Sequence, residues 1–225
     1  RPPRVSCDDV PGAEMSERPL VAVLDYGIGN LRSAEKSLAR VGADAHLTAD
    51  RGLIADAAGV VLPGVGAFGR CMEELRVSGL DQVAVDAVEE GRPFLGICIG
   101  MQLLYRASEE APDCPGLGVI DAEVVRMSDR QRLPQMQWNV LHGPRGTGSP
   151  SHEMFAGLDD PAWVYFVHSY AAAWTDEVVA TCDYGGPVAA AVARGRLWAT
   201  QFHPEKSGRN GLTMLGNFIR SLESS

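Results

Sequence analysis

The chain has 225 residues, with 20 Lys plus Arg against 29 Asp plus Glu and a formal charge of −9 at pH 7. That length suits one α/β domain around one core, and that charge, with no Lys/Arg cluster to offset it, repels a nucleic-acid backbone. Five cysteines without C-x-x-C spacing suggest neither a disulfide framework nor a zinc knuckle, and no apolar run approaches the ~20 residues of a membrane span, so a reduced, cytoplasmic protein is expected.

Residues 1–17, "RPPRVSCDDVPGAEMSE", are rich in Pro and charge and lack an apolar period, which predicts a disordered tail and leaves 18–225 as the domain. The pattern changes at "LVAVLDYG", a continuous apolar run ended by Gly, as in a strand buried on both faces of a parallel sheet. A helix follows: Asn30 can cap it, Leu31, Ala34, Leu38 and Val41 form its stripe, and Gly42 suits a left-handed exit. "ADAHLT" and "GVVLPG" read as strands, a helix runs from Asp81 to Gly91, "PFLGIC" is the next buried strand, and "IGMQLLYRAS" reads as the helix behind it. Such alternation predicts a doubly wound, mostly parallel α/β sheet. From about residue 116, short β-rich segments suggest an additional small sheet of β-hairpins packed beside the main one. "GPRGTGSPS" reads as a flexible loop, and "GLTMLGNFIRSL" as a closing amphipathic helix with Leu212, Leu215, Phe218, Ile219 and Leu222 inward.

Chemistry enters at "GICIG". In open α/β sheets the working residues gather at the carboxyl ends of strands, and Cys98 stands at such an end between Gly96 and Gly100. A lone cysteine among apolar residues is more often a small core hydrophobe than a nucleophile. A sharp strand-to-helix turn around a nucleophile, however, needs small neighbours, as in the G-x-S-x-G elbow. The helix opening at Ile99 would then aim its free N–H groups at the sulfur and at an oxyanion. A thiol that attacks an amide also needs a proton acceptor that later protonates the leaving amine. Of His46, His142, His152, His168 and His203, only His203 ends a strand and has a carboxylate two positions on, Glu205, to orient its ring. In "LPGVGAF", Gly64 and Gly66 permit unusual backbone angles around Val65, whose N–H could face an anionic oxygen. The spacing of a phosphate-binding loop is absent.

In order, "LDYGIGNLRS", "LPGVGAF", "GICIGMQLL", "LPQMQWNVL", "YFVHSY" and "QFHPEKSG" resemble the motifs of class I (triad) glutamine amidotransferases. They are most similar to the glutaminase subunits of imidazole glycerol phosphate synthase, of histidine biosynthesis. The resemblance covers residues 20 to 220. It implies that Cys98 is the nucleophile, His203 the general acid/base and Glu205 its partner, with the N–H groups of Val65 and Ile99 at the oxyanion site. Gly64, Gly66, Gln102, Ser169 and Tyr170 are implied around the bound glutamine. Hydrolysis would run through a γ-glutamyl thioester, without metal or cofactor, and the ammonia would pass to a cyclase subunit in a heterodimer. Asn30, Trp138, Tyr165 and Lys206 are implied at that interface and ammonia gate. Gln137 stands where the family usually has Gly, Arg132 where it has Lys, and Ile99 replaces the common Leu. Glutaminases that serve other acceptor subunits, and a catalytically silent module of the same fold, are the competing readings.

Overall fold

In the computed structural model, residues 18–29 and 31–223 are described; the predicted tail and Asn30, with its expected capping and interface roles, lie outside them. The first apolar run becomes β1 (Leu20–Leu24), buried beyond its first residue. It is followed by α1 (Arg32–Arg40), which turns Ala34 and Leu38 inward, with Gly42 at φ +106° behind it. Next come β2 (Asp44–Thr48), α2 (Arg51–Asp56) and β3 (Gly59–Gly64). The apolar pattern does not predict α2. Its six residues carry one buried side chain, Ile54, too few to make a stripe, and its signal is the cap: Leu53 N–H donates to the Asp50 carboxylate at 3.0 Å. Nor does the pattern predict α3 (Phe68–Val77), because it starts inside a Gly-rich stretch. It buries Phe68, Cys71, Met72 and Leu75, and Gly79, at φ +67°, separates it from α4 (Leu80–Glu89).

Strand β4 (Phe94–Cys98) is wholly buried and leads directly into α5 (Ile99–Leu103). The expected helix over 99–108 stops after five residues, and Tyr105–Ser108 forms strand β5 instead. The reason lies in the returning chain. Leu117, Ile120, Gly118 and Gly116 N–H groups donate to the carbonyls of Leu103, Leu104, Tyr105 and Arg106, taking acceptors that a continuing helix would need. Gly116 must be glycine, since a Cβ there would lie 1.9 Å from the Tyr105 carbonyl oxygen.

The remaining strands are β6 (Ile120–Arg126), β7 (Gln135–Val140), β8 (Trp163–His168), β9 (Tyr170–Ala172), β10 (Val178–Asp183), β11 (Pro187–Arg194) and β12 (Leu197–Thr200). The chain closes with α6 (Gly208–Leu222), which buries Met214, Leu215, Phe218, Ile219 and Leu222. Leu212, expected inward, is half-buried, and Met214 takes the inward place. The main sheet has seven strands in the order β10-β11-β12-β4-β3-β1-β2. Strands β12, β4, β3, β1 and β2 run parallel, and β10 and β11 add on antiparallel pairings. The late hairpins therefore do not all sit beside the sheet: β10 to β12 belong to it, because "LWAT" is buried on both faces and pairs with β4 from Leu197↔Phe94 to Thr200↔Ile97. The additional β structure is two small sheets, β5-β6-β9 and the antiparallel pair β7-β8. The order β12-β4-β3 matters most, since it sets the carboxyl ends of three parallel strands side by side.

Candidate active site

Cys98 ends β4 with φ 55° and ψ −110°, and among the described residues it is the one non-glycine with positive φ. A bulky residue in that region costs roughly 1–3 kcal/mol, so the surroundings must impose it. They do so by close packing. A Cβ on Gly100 would lie 1.8 Å from Leu62 O, one on Gly64 2.6 Å from Gly100 N, and one on Gly96 3.1 Å from Met101 Cα. The turn is thus wedged between β3 and the first turn of α5, with the Cys98 side chain at its apex, 3% exposed.

His203 follows β12, the strand next to β4, and its ring is 2% exposed. Its backbone is fixed on both sides: His203 N–H donates to Tyr165 O at 3.0 Å and the Ser207 hydroxyl donates to His203 O at 2.6 Å. Pro204 then opens a single 3₁₀ turn, Pro204–Lys206, which brings the Glu205 carboxylate 2.7 Å from Nδ1. On the other side the ring interacts with Cys98. Burial alone would lower the His203 pKa, but its interactions with Cys98 and with the Glu205 carboxylate raise it to about 9. The site therefore favours an imidazolium beside the sulfur.

The loop after β3 forms the facing wall. Gly64 pairs with Cys98 in the sheet register, so Val65 and Ile99 come next to each other. Only Gly66 of the two loop glycines uses a positive φ, +100°; Gly64 serves close approach to α5 instead.

A cavity of about 420 Å³ opens over these residues. Val65, Gly66, Cys98, Ile99, Gln102, Ser169, Tyr170, His203 and Lys206 all line it. Gly64 and Glu205 are not among its lining residues and stand behind it. Gln102, 1% exposed, donates to Tyr170 O and to Gln201 Oε1, both at 2.9 Å, and Gln201 Nε2 in turn lies 3.8 Å from the Cys98 sulfur. The Gln102 carbonyl oxygen is buried without a protein partner among the described residues. Trp138 and Tyr165 lie outside the cavity. They face each other across the β7-β8 pair, ring centroids 6.1 Å apart and edge to face, with Trp138 48% exposed. Neither reads as ordinary core. Beside Trp138, Gln137, Met136 and Trp163 are also exposed.

Three residues missed in the sequence belong to this region. Gln201 bridges Gln102 to the sulfur, yet nothing distinguishes it from any polar residue before a turn. Glu110 lines the cavity and its carboxylate accepts from Phe68 N–H at 2.8 Å; it lies between the expected helix and the β-rich segments, where the sequence pattern assigns no element. His168 also lines the cavity. Its Nδ1–H donates to Tyr170 O at 2.8 Å, its Nε2 has no protein partner among the described residues, and burial, with the nearby His203, pushes its pKa down to about 4. The other histidines are elsewhere: His46 pairs with Asp44 on β2, His142 bridges to Thr181, and His152 packs against Trp198. No grouping of His, Cys, Asp and Glu among the described residues could hold a metal ion.

Known proteins resemble this arrangement. A family model described as "Glutamine amidotransferase class-I" matches residues 22–222. The imidazole glycerol phosphate synthase subunit HisH of Symbiobacterium thermophilum is 45% identical over 202 residues, spanning 89% of this chain and 93% of the relative. The subunit of the same name from Synechococcus sp. is 47% identical over 204 residues, 88% of this chain and 92% of its own. That of Streptomyces coelicolor is 42% identical over 231 residues, 95% and 98% of the two chains. Among solved structures, a glutamine amidotransferase superposes with a TM-score of 0.68 at 23% identity, covering 91% of this chain and 99% of that one. The structure of PurLQS from Thermotoga maritima gives 0.69 at 18%, covering 91% and 99%. At such identities the two structures speak for the fold alone.

Proposed function

The chain belongs to the class-I glutamine amidotransferases, and from that premise we propose that it is the glutaminase subunit of an imidazole glycerol phosphate synthase, working with a separate cyclase subunit in histidine biosynthesis. The observation that carries the reading is the buried row Cys98, His203 and Glu205 at the ends of adjacent strands, opening on one cavity. Relatives that bear this name at 42–47% identity over most of the chain support the choice of acceptor.

The chemistry follows from the geometry. Cys98 sulfur, its proton passed to His203, attacks the side-chain carbonyl carbon of glutamine. The carbonyl oxygen becomes anionic and is met by the N–H groups of Ile99, at the head of α5, and of Val65 beside it. His203 delivers its proton to the amide nitrogen, the C–N bond breaks, and ammonia leaves a γ-glutamyl thioester. Water then attacks the thioester while His203 takes its proton, and glutamate departs from a regenerated thiolate. Glu205 keeps the ring in one tautomer and steadies its positive charge. Gln102, with an unpaired buried oxygen, and Ser169 and Tyr170 hold the substrate. Glu110, the one carboxylate lining the cavity, suits its α-ammonium.

Ammonia set free in bulk water would become ammonium, which is not a nucleophile, so it must pass straight to the second subunit. The exposed Trp138 and Lys206 and the half-buried Tyr165 are the groups against which the cyclase seats and the ammonia exits, the role that the resemblance gives them together with Asn30. The reaction is assigned to the cytoplasm.

The test is glutamate release by the chain alone, with the cyclase, and with the cyclase and its ribonucleotide ligand. Slow turnover alone and an increase of orders of magnitude in the ternary mixture are expected. Equal turnover in all three would indicate an independent amidase, and none in any of them a silent module.

A further inference from the structure

Two buried donors stand behind the Gly64–Val65–Gly66 loop, and the proposed reaction uses neither. Tyr26, 2% exposed, lies just after β1, and its hydroxyl donates to Pro63 O at 2.6 Å. Cys71, 1% exposed, sits in the first turn of α3, and its thiol donates to Val65 O at 3.3 Å. Each carbonyl belongs to the peptide unit that follows its residue. The two bonds therefore fix the Pro63–Gly64 and Val65–Gly66 units and skip the unit between them, which carries the Val65 N–H.

Resting on the glutaminase reading, we infer that Tyr26 and Cys71 are positioning residues for the oxyanion site: they clamp the peptides on either side of the Gly64–Val65 unit, so that only this unit can turn. With its neighbours fixed, it can rotate about ψ of Gly64 and φ of Val65 while the chain path stays put. The surroundings suit such a motion. Val65 is half-buried and Gly66 exposed, whereas Gly64 is locked against Gly100 N. Burial raises the Cys71 pKa to about 11 and raises that of Tyr26 further still, so both keep their protons near neutrality and remain donors. They would thus hold the pivot points without taking part in proton transfer.

The variants that test this are Tyr26→Phe, Cys71→Ala and Cys71→Ser, each assayed as the complex with the cyclase and its ligand. Releasing a flanking peptide blurs the position of one oxyanion donor, and a whole donor is worth ~100 to 1,000-fold in kcat. Tyr26→Phe and Cys71→Ala are expected to lower kcat for glutamine about 10-fold or more, with KM moved less than threefold. Cys71→Ser, which keeps a donor, should recover much of the loss. Alkylation of Cys98 by iodoacetamide, followed by peptide mass, needs no oxyanion and should proceed at the parental rate. Unchanged kcat in both donor-less variants would overturn the inference, and so would a loss shared with alkylation or not recovered by serine. A second measurement is independent of turnover: crystal structures of the variants should show the released carbonyl, Pro63 or Val65, in more than one orientation. Single, parental orientations in both would overturn it even if the chain were no glutaminase, whereas an inactive parent complex with the expected disorder would fault only the functional reading.

Discussion

Gly100→Ala sets two well-understood effects against each other. Gly100 lies within α5, and replacing glycine by alanine inside a helix ordinarily stabilises by roughly 0.5–1 kcal/mol. Here the new Cβ would lie 1.8 Å from Leu62 O and 2.8 Å from Leu62 C, where ordinary contact needs ~3.5 Å. Both partners are main chain of packed elements, so about 1.5 Å must open between β3 and α5. Overpacking of this kind costs ~1–3 kcal/mol or more, which reverses the helical gain. At ~2–4 °C per kcal/mol for a chain of this size, Tm should fall by several degrees. Because α5 carries the Ile99 N–H and follows Cys98 directly, a shift of ~1 Å should also cost on the order of 100-fold in glutamine turnover. Gly29→Ala, where a Cβ would meet nothing within 4 Å and φ is not positive, is the control and should keep the parental Tm. The measurements are calorimetric melting and glutamate release in the activated complex. A Tm of Gly100→Ala equal to or above the parent's, with turnover retained, would refute the argument that packing against β3 shapes the elbow.

Cys98→Ala should abolish glutamine-dependent synthesis while leaving ammonium-dependent synthesis by the reconstituted pair near the parental level, since base catalysis alone is worth ~100 to 10,000-fold and the cyclase chemistry sits on the other chain; full glutamine activity would remove Cys98 from its role. His168 has a folded pKa of about 4 against an ordinary 6.5, so the neutral ring fits the fold without penalty above pH 6.5, and stability is lost as pH falls from there toward 4, at ~1.4 kcal/mol for each pH unit crossed. Urea melts of His168→Gln should show a shallower acid loss over that window than the parent, and parallel curves would count against it. Gln137 is exposed on β7 beside Trp138, so Gln137→Gly should cost only about 0.5–1 kcal/mol while altering cyclase-dependent activation; unfolding at working temperature with activation unchanged would contradict the interface assignment.

What was legible in the sequence was whatever a short run of residues encodes by itself. Apolar runs located β1, β3 and β4, and Cys98 between two glycines marked the elbow, because steric demand acts within a few residues. His203 and Glu205 were legible for a similar reason: the ring and the carboxylate that meets it are two positions apart. Glu110, His168 and Gln201 were not, since they reach the cavity only through the packing of separate elements. Gln201 meets the sulfur 103 residues away. The end of α5 was hidden likewise, as the amides that take its acceptors come from residues 116 to 120. Strand β12 resembled a hairpin because its sequence neighbour β11 pairs with it, while its other edge, against β4, is what sets His203 beside Cys98. In the loop, the spacing of Gly64 and Gly66 suggested equal roles. Only the three-dimensional structure separates a glycine needed for space from one needed for φ.

The distribution of rigidity also says where control can act. The Cys98 conformation is held in place by β3, β4 and α5, all fully buried at that point, and His203 is tied at both its N–H and its carbonyl. Releasing either would mean opening the core, at a cost comparable to much of the ~5–15 kcal/mol that keeps a domain folded. Neither group is a suitable switch. The Gly64–Val65 peptide is different: one unit, bounded by fixed neighbours, next to an exposed glycine and leading into the half-buried Val65. A two-state element responds to a partner only through differential contact with its two states, and the exposed Lys206 lines the same cavity as this loop. Under the glutaminase reading, gating turnover through one oxyanion donor would leave the nucleophile and the base assembled.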